Sequence, residues 1–275
     1  MLENKFSKKD IIYSLLKLGL KKGDSLILGT SLGMFGLPNN VKTQNQLNKV
    51  YFDSLMKIIG KSGNILVPTY SYSFGVPHWK NFVNKNLKKK FSKFFIKTKS
   101  EIGPFPNFFL NQKNVIRNID PMVSIAGLGP KVPKLFKNLP FTSYGKDCTY
   151  ERLLKLKNLK ILSMGLGNSW SPFYHYIEKV CNVPYRFKKI YKGIIIEIDK
   201  SKEVEWEYHS RIMDKRTITS GHNITKYLNK NKIWKSTKLG RSRIYICNYK
   251  KFYDFIFKKV QKNKWLLATG PKFKV

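Results

Sequence analysis

The sequence predicts an α/β fold, with a central mixed or largely parallel sheet flanked by helices in three layers and forming a single domain. Three observations carry this expectation. Short apolar runs recur at residues 25–28, 64–68 and 158–164, each the length of a buried strand. Helical periodicity, at roughly residues 44–59, separates the first two. The chain has 275 residues, of which 42% are hydrophobic, enough for one large core.

The elements follow in order. Residues 7–19 read as a helix: Ser7 is placed to cap it, Ile11, Ile12, Leu15, Leu16 and Leu18 form its apolar stripe, and Gly19 ends it. The turn at Lys21, Lys22, Gly23 and Asp24 leads into the first strand, Ser25-Leu26-Ile27-Leu28. Gly29 to Gly33 read as a loop. After the second helix and a turn at residues 60–63, Asn64-Ile65-Leu66-Val67-Pro68 forms the second strand. Residues 98–109 are expected to hold a loop and the start of a helix. The third buried strand, 158–164, feeds a glycine loop at 165–169, and residues 171–181 read as the start of a helix. Residues 193–198 form an almost uninterrupted apolar strand. From about residue 190 the chain is lysine-rich and mixes short strands with helices, and Trp206, Trp234 and Trp265 mark it as packed structure.

Residues 72–100 stand out as a basic, aromatic-rich excursion. Lys85, Lys88, Lys89, Lys90, Lys93, Lys97 and Lys99 interleave with Phe82, Phe91, Phe94 and Phe95. Aromatics set between cations can stack bases. The same pattern suits a helix with Phe inward and Lys outward.

Charge is the strongest compositional signal. Lys and Arg total 53 against 16 Asp and Glu, for a net charge of +37. An anionic partner fits this balance: nucleic acid, a phosphorylated substrate or an anionic membrane surface. AT-rich coding, which favours Lys, Asn, Ile and Phe, fits it equally well. Lys far outnumbers Arg, and Lys is a point charge rather than a bidentate reader of phosphate or bases, so no specific nucleic acid is expected. The three cysteines, Cys148, Cys181 and Cys247, are far apart, show no metal spacing and suit a reduced compartment. The first ten residues are polar, and no apolar run approaches the ~20 residues of a membrane span. The expected location is the cytoplasm, and no metal is expected.

Several residue groups can carry chemistry. Gly165-Leu166-Gly167 follows a strand, but position 170 is Trp, so the third glycine of a dinucleotide fingerprint is missing. His175 and Glu178 share one face if their segment is helical. A carboxylate beside an imidazole fixes its tautomer and raises its pKa, as a general base requires. A surface contact or a satisfied core histidine is the plainer alternative. Thr30 and Ser31 follow a buried strand and can hold a phosphate or a thioester carbonyl, or simply form a turn. Cys148 and Cys181 are candidate thiol nucleophiles with no histidine nearby in sequence, and more plainly are small buried residues.

Seven segments in order resemble the aminoglycoside 3-N-acetyltransferase family, from about residue 10 to about residue 190. They are Leu28-Gly29-Thr30-Ser31-Leu32 with Phe35-Gly36; Gly63-Asn64-Ile65-Leu66-Val67-Pro68-Thr69; Ser100-Glu101-Ile102-Gly103; the stretch from Arg117 through Asp120, Pro121 and Ser124 to Gly129; Gly145-Lys146-Asp147-Cys148-Thr149; Ile161-Leu162-Ser163-Met164-Gly165; and His175-Tyr176-Ile177-Glu178 followed by Val183-Pro184-Tyr185-Arg186. The resemblance implies transfer of an acetyl group from acetyl-CoA to an amine in a ternary complex. It implies His175 as base, Glu178 as its orienting partner and Asp120 as a third member. Thr30, Ser31, Ser124 and Gly165 would bind the coenzyme A thioester. Three of the segments depart from the family pattern: Gly29 and Asp120 stand where it has His, and Cys148-Thr149 where it has Ser-Pro. The acceptor is expected to be an amino sugar of surface-polysaccharide synthesis or an aminoglycoside. A nucleic-acid-binding protein built on the basic stretch, or an inactive member that only binds CoA, are the rival readings.

Overall fold

The computed structural model describes residues 6–75, 92–198, 200–214, 217–218 and 222–268. Helix α1, Lys8–Lys17, opens with a capping box: the Asp10 amide donates to the Ser7 hydroxyl, and the Ser7 amide donates to the Asp10 carboxylate. Strand β1 spans Ser25–Thr30, helix α2 Gln44–Ile59 and strand β2 Asn64–Pro68. Thr43 and Gln46 cap α2 in the same reciprocal way. β1 runs two residues beyond the predicted strand, because Gly29 and Thr30 still pair with Ser163 and Met164.

Strand β3, Ser92–Phe95, precedes helix α3, Pro104–Leu110. Strands β4, Ile116–Arg117, and β5, Ile125–Leu128, lead to helices α4, Val132–Phe136, and α5, Thr149–Leu154. Strand β6, Leu159–Met164, and helix α6, Tyr174–Val180, carry the motif region. The rest comprises β7, Arg186–Ile196; β8, Ser201–Arg211; α7, His222–Lys230; β9, Lys235–Leu239; β10, Ser242–Asn248; and α8, Tyr249–Lys262.

Among the described residues seven strands form one mixed sheet in the order β4-β5-β2-β1-β6-β10-β9. Its centre, β2-β1-β6, is parallel, and antiparallel strands flank it on both sides. Alternation along these strands divides the core in two. Leu26, Leu28, Ile65, Val67, Leu162 and Met164 pack with Ile11 and Leu15 of α1, Tyr51 and Leu55 of α2, and Phe105 and Phe109 of α3. Ile27, Leu66 and Ile161 pack on the other face with Leu153 of α5, Ile177 of α6, and Phe252 and Ile256 of α8. Burial on both faces explains why these strands are apolar without interruption. The expected three layers and single domain are present.

A second sheet, β3-β7-β8, leans on the second core through Phe94, Ile195, Val204 and Trp206. β7 starts at Arg186, well before the predicted residue 193. Its first half carries exposed Lys188 and Lys189, so only the Ile194–Ile196 end shows an apolar signal. Most of the basic excursion, residues 76–91, lies outside the described residues. The described end is strand rather than helix: Phe94 is buried and Phe95 faces outward, the period-two alternation of β3.

Candidate active site

The sheet order places the site. β2 and β6 lie on opposite sides of β1, all three parallel, and the connections that leave β1 and β6 pass to opposite faces of the sheet. A crevice opens outside the carboxyl ends of strands at such a switch point, where α/β proteins bind ligands. The residues at this edge are Thr30 at the end of β1, Ser31 after it, and the 165–173 loop after β6.

The two loops touch. The Ser31 amide donates to Met164 O at 2.7 Å, and the backbone of Gly165 packs so tightly on Ser31 O that a Cβ there would collide with it. Gly165 also has φ +82°, a conformation that disfavours side chains. Thr30, Ser31 and Gly165 are therefore adjacent, and all three are partly exposed. Gly29 has a different reason. A Cβ at Gly29 would lie 2.5 Å from the Trp170 indole. Trp170 occupies the space beside β1 that a side chain at position 29 needs, which accounts physically for one departure from the family pattern.

His175 and Glu178 fall in α6, three residues apart on one face. Glu178 is fully buried and His175 is 34% exposed. His175 Nδ1 lies 2.8 Å from Glu178 Oε2 and 2.6 Å from Arg186 Nη2. The Tyr185 hydroxyl donates to Glu178 Oε1 at 3.1 Å, and Arg186 Nε lies 2.5 Å from Oε2. The third Arg186 nitrogen, Nη1, donates to His209 O at 3.0 Å. The carboxylate and the guanidinium compete for Nδ1. The carboxylate accepts only from the Nδ1–H tautomer, which leaves the Nε2 lone pair free; the guanidinium donates only to the other tautomer.

Charge follows from these contacts. Burial alone would raise the Glu178 carboxyl, but Arg186 and His175 outweigh it and hold Glu178 below its ordinary range. The imidazole goes the opposite way to expectation. Partial burial and then Arg186 hold the His175 pKa below 6.5, against the pull of Glu178. The expected rise assumed a carboxylate acting alone, whereas here a buried cation shares it.

Asp120 is not bonded to this pair. Its carboxylate accepts from the Met122 and Val123 amides at 2.8 and 2.9 Å and from the Ser143 hydroxyl, whose own oxygen accepts from the Trp206 indole at 2.9 Å. Burial pushes the Asp120 pKa up to about 6. The expected third member thus sits in a separate polar cluster, because the amides two and three residues on capture it first. Tyr70, Tyr150 and Tyr208 lie near enough to feel the Asp120 charge, and the Tyr144 ring lies 6.3 Å from His175 and 5.5 Å from Tyr208.

Ser124 is corrected more sharply. It is fully buried, donates to Thr69 O at 2.8 Å and accepts from Arg117 Nε at 3.0 Å. Arg117 also bonds Thr69 O, which knits β2 to β4 and leaves Ser124 with no hydroxyl to offer a ligand. Burial pushes the Cys148 and Cys181 thiols up to about 12 and about 11, so neither supplies a thiolate near neutrality. Among the described residues no group of three His, Cys, Asp or Glu can hold a metal ion, and no helix is long and apolar enough to cross a membrane.

The residues that sequence reasoning missed are Arg186, as the cation on Glu178, together with Tyr185 and His209. Val183-Pro184-Tyr185-Arg186 was visible as a motif, but nothing in its spacing says that Arg186 folds back inward. His209 is buried with neither ring nitrogen hydrogen-bonded, and burial followed by Arg186 lowers its pKa to about 4.

Solved structures similar to this architecture include aminoglycoside acetyltransferases. That of aminoglycoside acetyltransferase AAC(3)-Xa superposes with a TM-score of 0.77 at 18% identity, covering 94% of this chain and 93% of that one. AAC-IIIb in binary complex with CoASH gives 0.74 at 15% identity, covering 97% and 99%. AAC-VIa bound to sisomicin gives 0.76 at 18% identity, covering 94% and 98%. No curated protein sequence matches this chain. The sequence model for aminoglycoside 3-N-acetyltransferases matches residues 39–261 and so reaches well past residue 190, into the part where no motif was legible. With most of its length matched, and with the fold to go with it, the chain belongs to the aminoglycoside 3-N-acetyltransferase family and is an N-acetyltransferase.

Proposed function

We propose that the chain transfers the acetyl group of acetyl-CoA to an amine of an amino sugar or aminoglycoside, with His175 as general base. The observation that carries this is the buried Glu178 carboxylate against Nδ1 of a partly exposed histidine. In the Nδ1–H tautomer, Nε2 takes the proton as the amine nitrogen attacks the thioester carbonyl. Glu178 then stabilises the imidazolium. The tetrahedral intermediate collapses with loss of the CoA thiolate, which recovers the proton from Nε2, leaving an amide and CoA–SH. Nothing in this sequence requires a covalent enzyme intermediate. The adjoining loops at Thr30, Ser31 and Gly165 are the proposed seat of the thioester end, and the structure of AAC-IIIb with CoASH supports the choice of donor. The Asp120 cluster lies in the same tyrosine-lined wall and is proposed to shape the acceptor side rather than to complete a triad.

The local charge favours a neutral or anionic acceptor, such as an amino sugar carried on a phosphate ester, over a polycationic antibiotic. Arg186 and Arg211 both act on His175, against the single carboxylate of Glu178. Glu205 and Glu207 of β8 are taken by Lys192 and Lys188 at 3.0 and 3.1 Å. A protein at +37 also steers cations away. The test is thiol release from acetyl-CoA with a panel of nucleotide-linked amino sugars and aminoglycosides at low and moderate salt. Release with none of them overturns the transferase reading. A higher kcat/KM for the antibiotics at both salt levels overturns the acceptor preference alone.

A further inference from the structure

Gly29 and Trp170 form a matched pair that the proton transfer at His175 does not call for. Gly29 lies one residue before the end of β1, and strand alternation turns it to the same side as Ile27, the face on which α6 packs. A Cβ built at position 29 would lie 2.5 Å from Cδ2, 2.5 Å from Cε3 and 2.6 Å from Cε2 of Trp170. Three ring atoms at nearly equal distance mean that the indole lies flat across the strand, with one face on the Gly29 backbone. Only glycine leaves room for so close an approach. The family pattern has a histidine at position 29; here the strand gives up its side chain, and a larger, apolar ring comes over it from the loop.

The indole is held in a braced loop. At the start of that loop the Ser163 hydroxyl donates to Gly167 O at 2.7 Å, and the Asn168 side-chain amide donates to Asn229 Oδ1 of α7. At its end the Phe173 amide donates to Ser171 Oγ at 3.2 Å. Trp170 packs against the core beneath α6 and stays partly exposed. Its position says what it excludes. Thr30 and Ser31 follow Gly29 directly, and Gly165 adjoins Ser31. The indole therefore borders the proposed seat of the thioester, on the side of the sheet that carries α6 and its histidine. It fills the volume over the last residues of β1 along which an acyl chain would extend.

We infer that Trp170 sets the length of the acyl group: the indole closes the space beside the thioester, so that acetyl fits and longer chains collide with the ring. This rests on the acetyl-CoA reading proposed above. Trp170 supplies neither base nor nucleophile and selects the donor by shape alone. A close-packed apolar wall discriminates by about tenfold or more for each methylene.

The experiment measures kcat/KM for acetyl-, butyryl- and hexanoyl-CoA with the best acceptor of the panel above. Independently of turnover, calorimetry measures the affinity of the S-ethyl, S-butyl and S-hexyl thioethers of coenzyme A. The parent is expected to prefer acetyl-CoA to butyryl-CoA by about 10²-fold or more, and to bind the thioethers in the same order. Trp170→Ala is expected to raise the ratio of kcat/KM for butyryl-CoA to that for acetyl-CoA about tenfold or more, and to bind the S-hexyl thioether more tightly than the S-ethyl, with the acceptor KM unchanged. Trp170→Phe keeps a smaller ring over Gly29 and is expected to fall between the two; it carries the test if Trp170→Ala does not fold. Gly29→Ala/Trp170→Ala returns a side chain to the vacated space and is expected to lower the ratio again. A parent that takes hexanoyl-CoA as readily as acetyl-CoA overturns the inference. So does an unchanged ratio in the folded Trp170 variants, or an effect confined to the acceptor KM, which makes Trp170 a contact of the acceptor instead. Thioether selectivity that relaxes in Trp170→Ala, in a protein that transfers no acyl group, leaves the wall standing and removes the transferase reading.

Discussion

Glu178→Gln separates the two duties of the buried carboxylate. The amide is isosteric, so packing is preserved, and its oxygen can still accept from His175 while its NH2 reaches the Tyr185 oxygen. What disappears is the charge. The Arg186 side chain is 4% exposed, and its other contacts are the His209 carbonyl and His175 Nδ1, neither of which is anionic near neutrality. Leaving a buried cation without its partner costs about 3–5 kcal/mol. For a domain of this size each kcal/mol lowers Tm by about 2–4 °C, so the expected fall is roughly 6–20 °C. Loss of the group that stabilises the imidazolium lowers kcat by about 10²–10⁴. Replacing both charges, in Glu178→Gln/Arg186→Met, removes the orphaned cation and is expected to restore most of the stability but none of the activity. Melting curves and thiol-release rates on the four proteins of this cycle provide the assay. A Glu178→Gln protein that melts within about 2 °C of the parent shows that Arg186 does not depend on the carboxylate. A double variant that recovers both properties shows that Glu178 serves the fold and not the histidine.

The remaining predictions are shorter. His175→Ala is expected to fold and to lose about 10²–10⁴ in kcat; full activity in a folded variant removes the general-base assignment. Gly29→Ala forces a Cβ into the Trp170 indole and is expected to cost about 1–3 kcal/mol by thermal melting, with relief when Trp170→Ala is added. His209, with a folded pKa of about 4 against an ordinary 6.5, stays neutral while the unfolded chain takes up a proton, so it removes about 3 kcal/mol of stability as pH falls from 6.5 to 4. Asp120, raised to about 6, works the other way over much of that window, so the check is the difference in Tm between parent and His209→Leu, which is expected to favour His209→Leu increasingly below pH 6.5.

Legibility in the sequence followed burial and locality. α1, α2, β2 and β6 were readable because each shows a pattern that its own residues complete: the Ser7 cap and apolar stripe of α1, the period of α2, the two-sided burial of β2 and β6. The first half of β7 was not readable, since Lys188 and Lys189 face solvent and its partner β8 is itself polar. His175 and Glu178 were legible as a pair because a helix brings residues three apart together. Arg186 was not, because a charged residue after a turn reads as surface, and only the fold of β7 against α6 carries it inward. Asp120 and Ser124 were placed by motif alone. The structure shows that their nearest polar partners are backbone groups, which no side-chain pattern reveals. Trp170 was legible only as a missing glycine, because it is the pairing of β1 with β6 that brings the 165–173 loop over Gly29.

On the general-base reading proposed for His175, Arg186 also changes what kind of base it would be. Paired with Glu178 alone, the imidazole would be a stronger base but would spend more of its time protonated and unable to accept from the amine. Burial, and then the guanidinium on the same carboxylate, hold its pKa below 6.5 and make the ring a weaker base. Such a base deprotonates a nitrogen effectively only as the N–C bond forms, when the amine has become acidic, and it assists little in stripping a proton from a free ammonium. On that reading the acceptor would have to reach the site as the neutral amine. A positive surround helps to meet that requirement, because Arg186 and Arg211 disfavour an ammonium near His175 just as they disfavour an imidazolium. The same two guanidinium groups would also lower the pKa of an acceptor amine placed beside His175. On the proposed reading the arrangement would suit amines whose own pKa is already modest or whose charge is offset by an attached phosphate. It would work against polyamines, which carry several ammonium groups into the field at once.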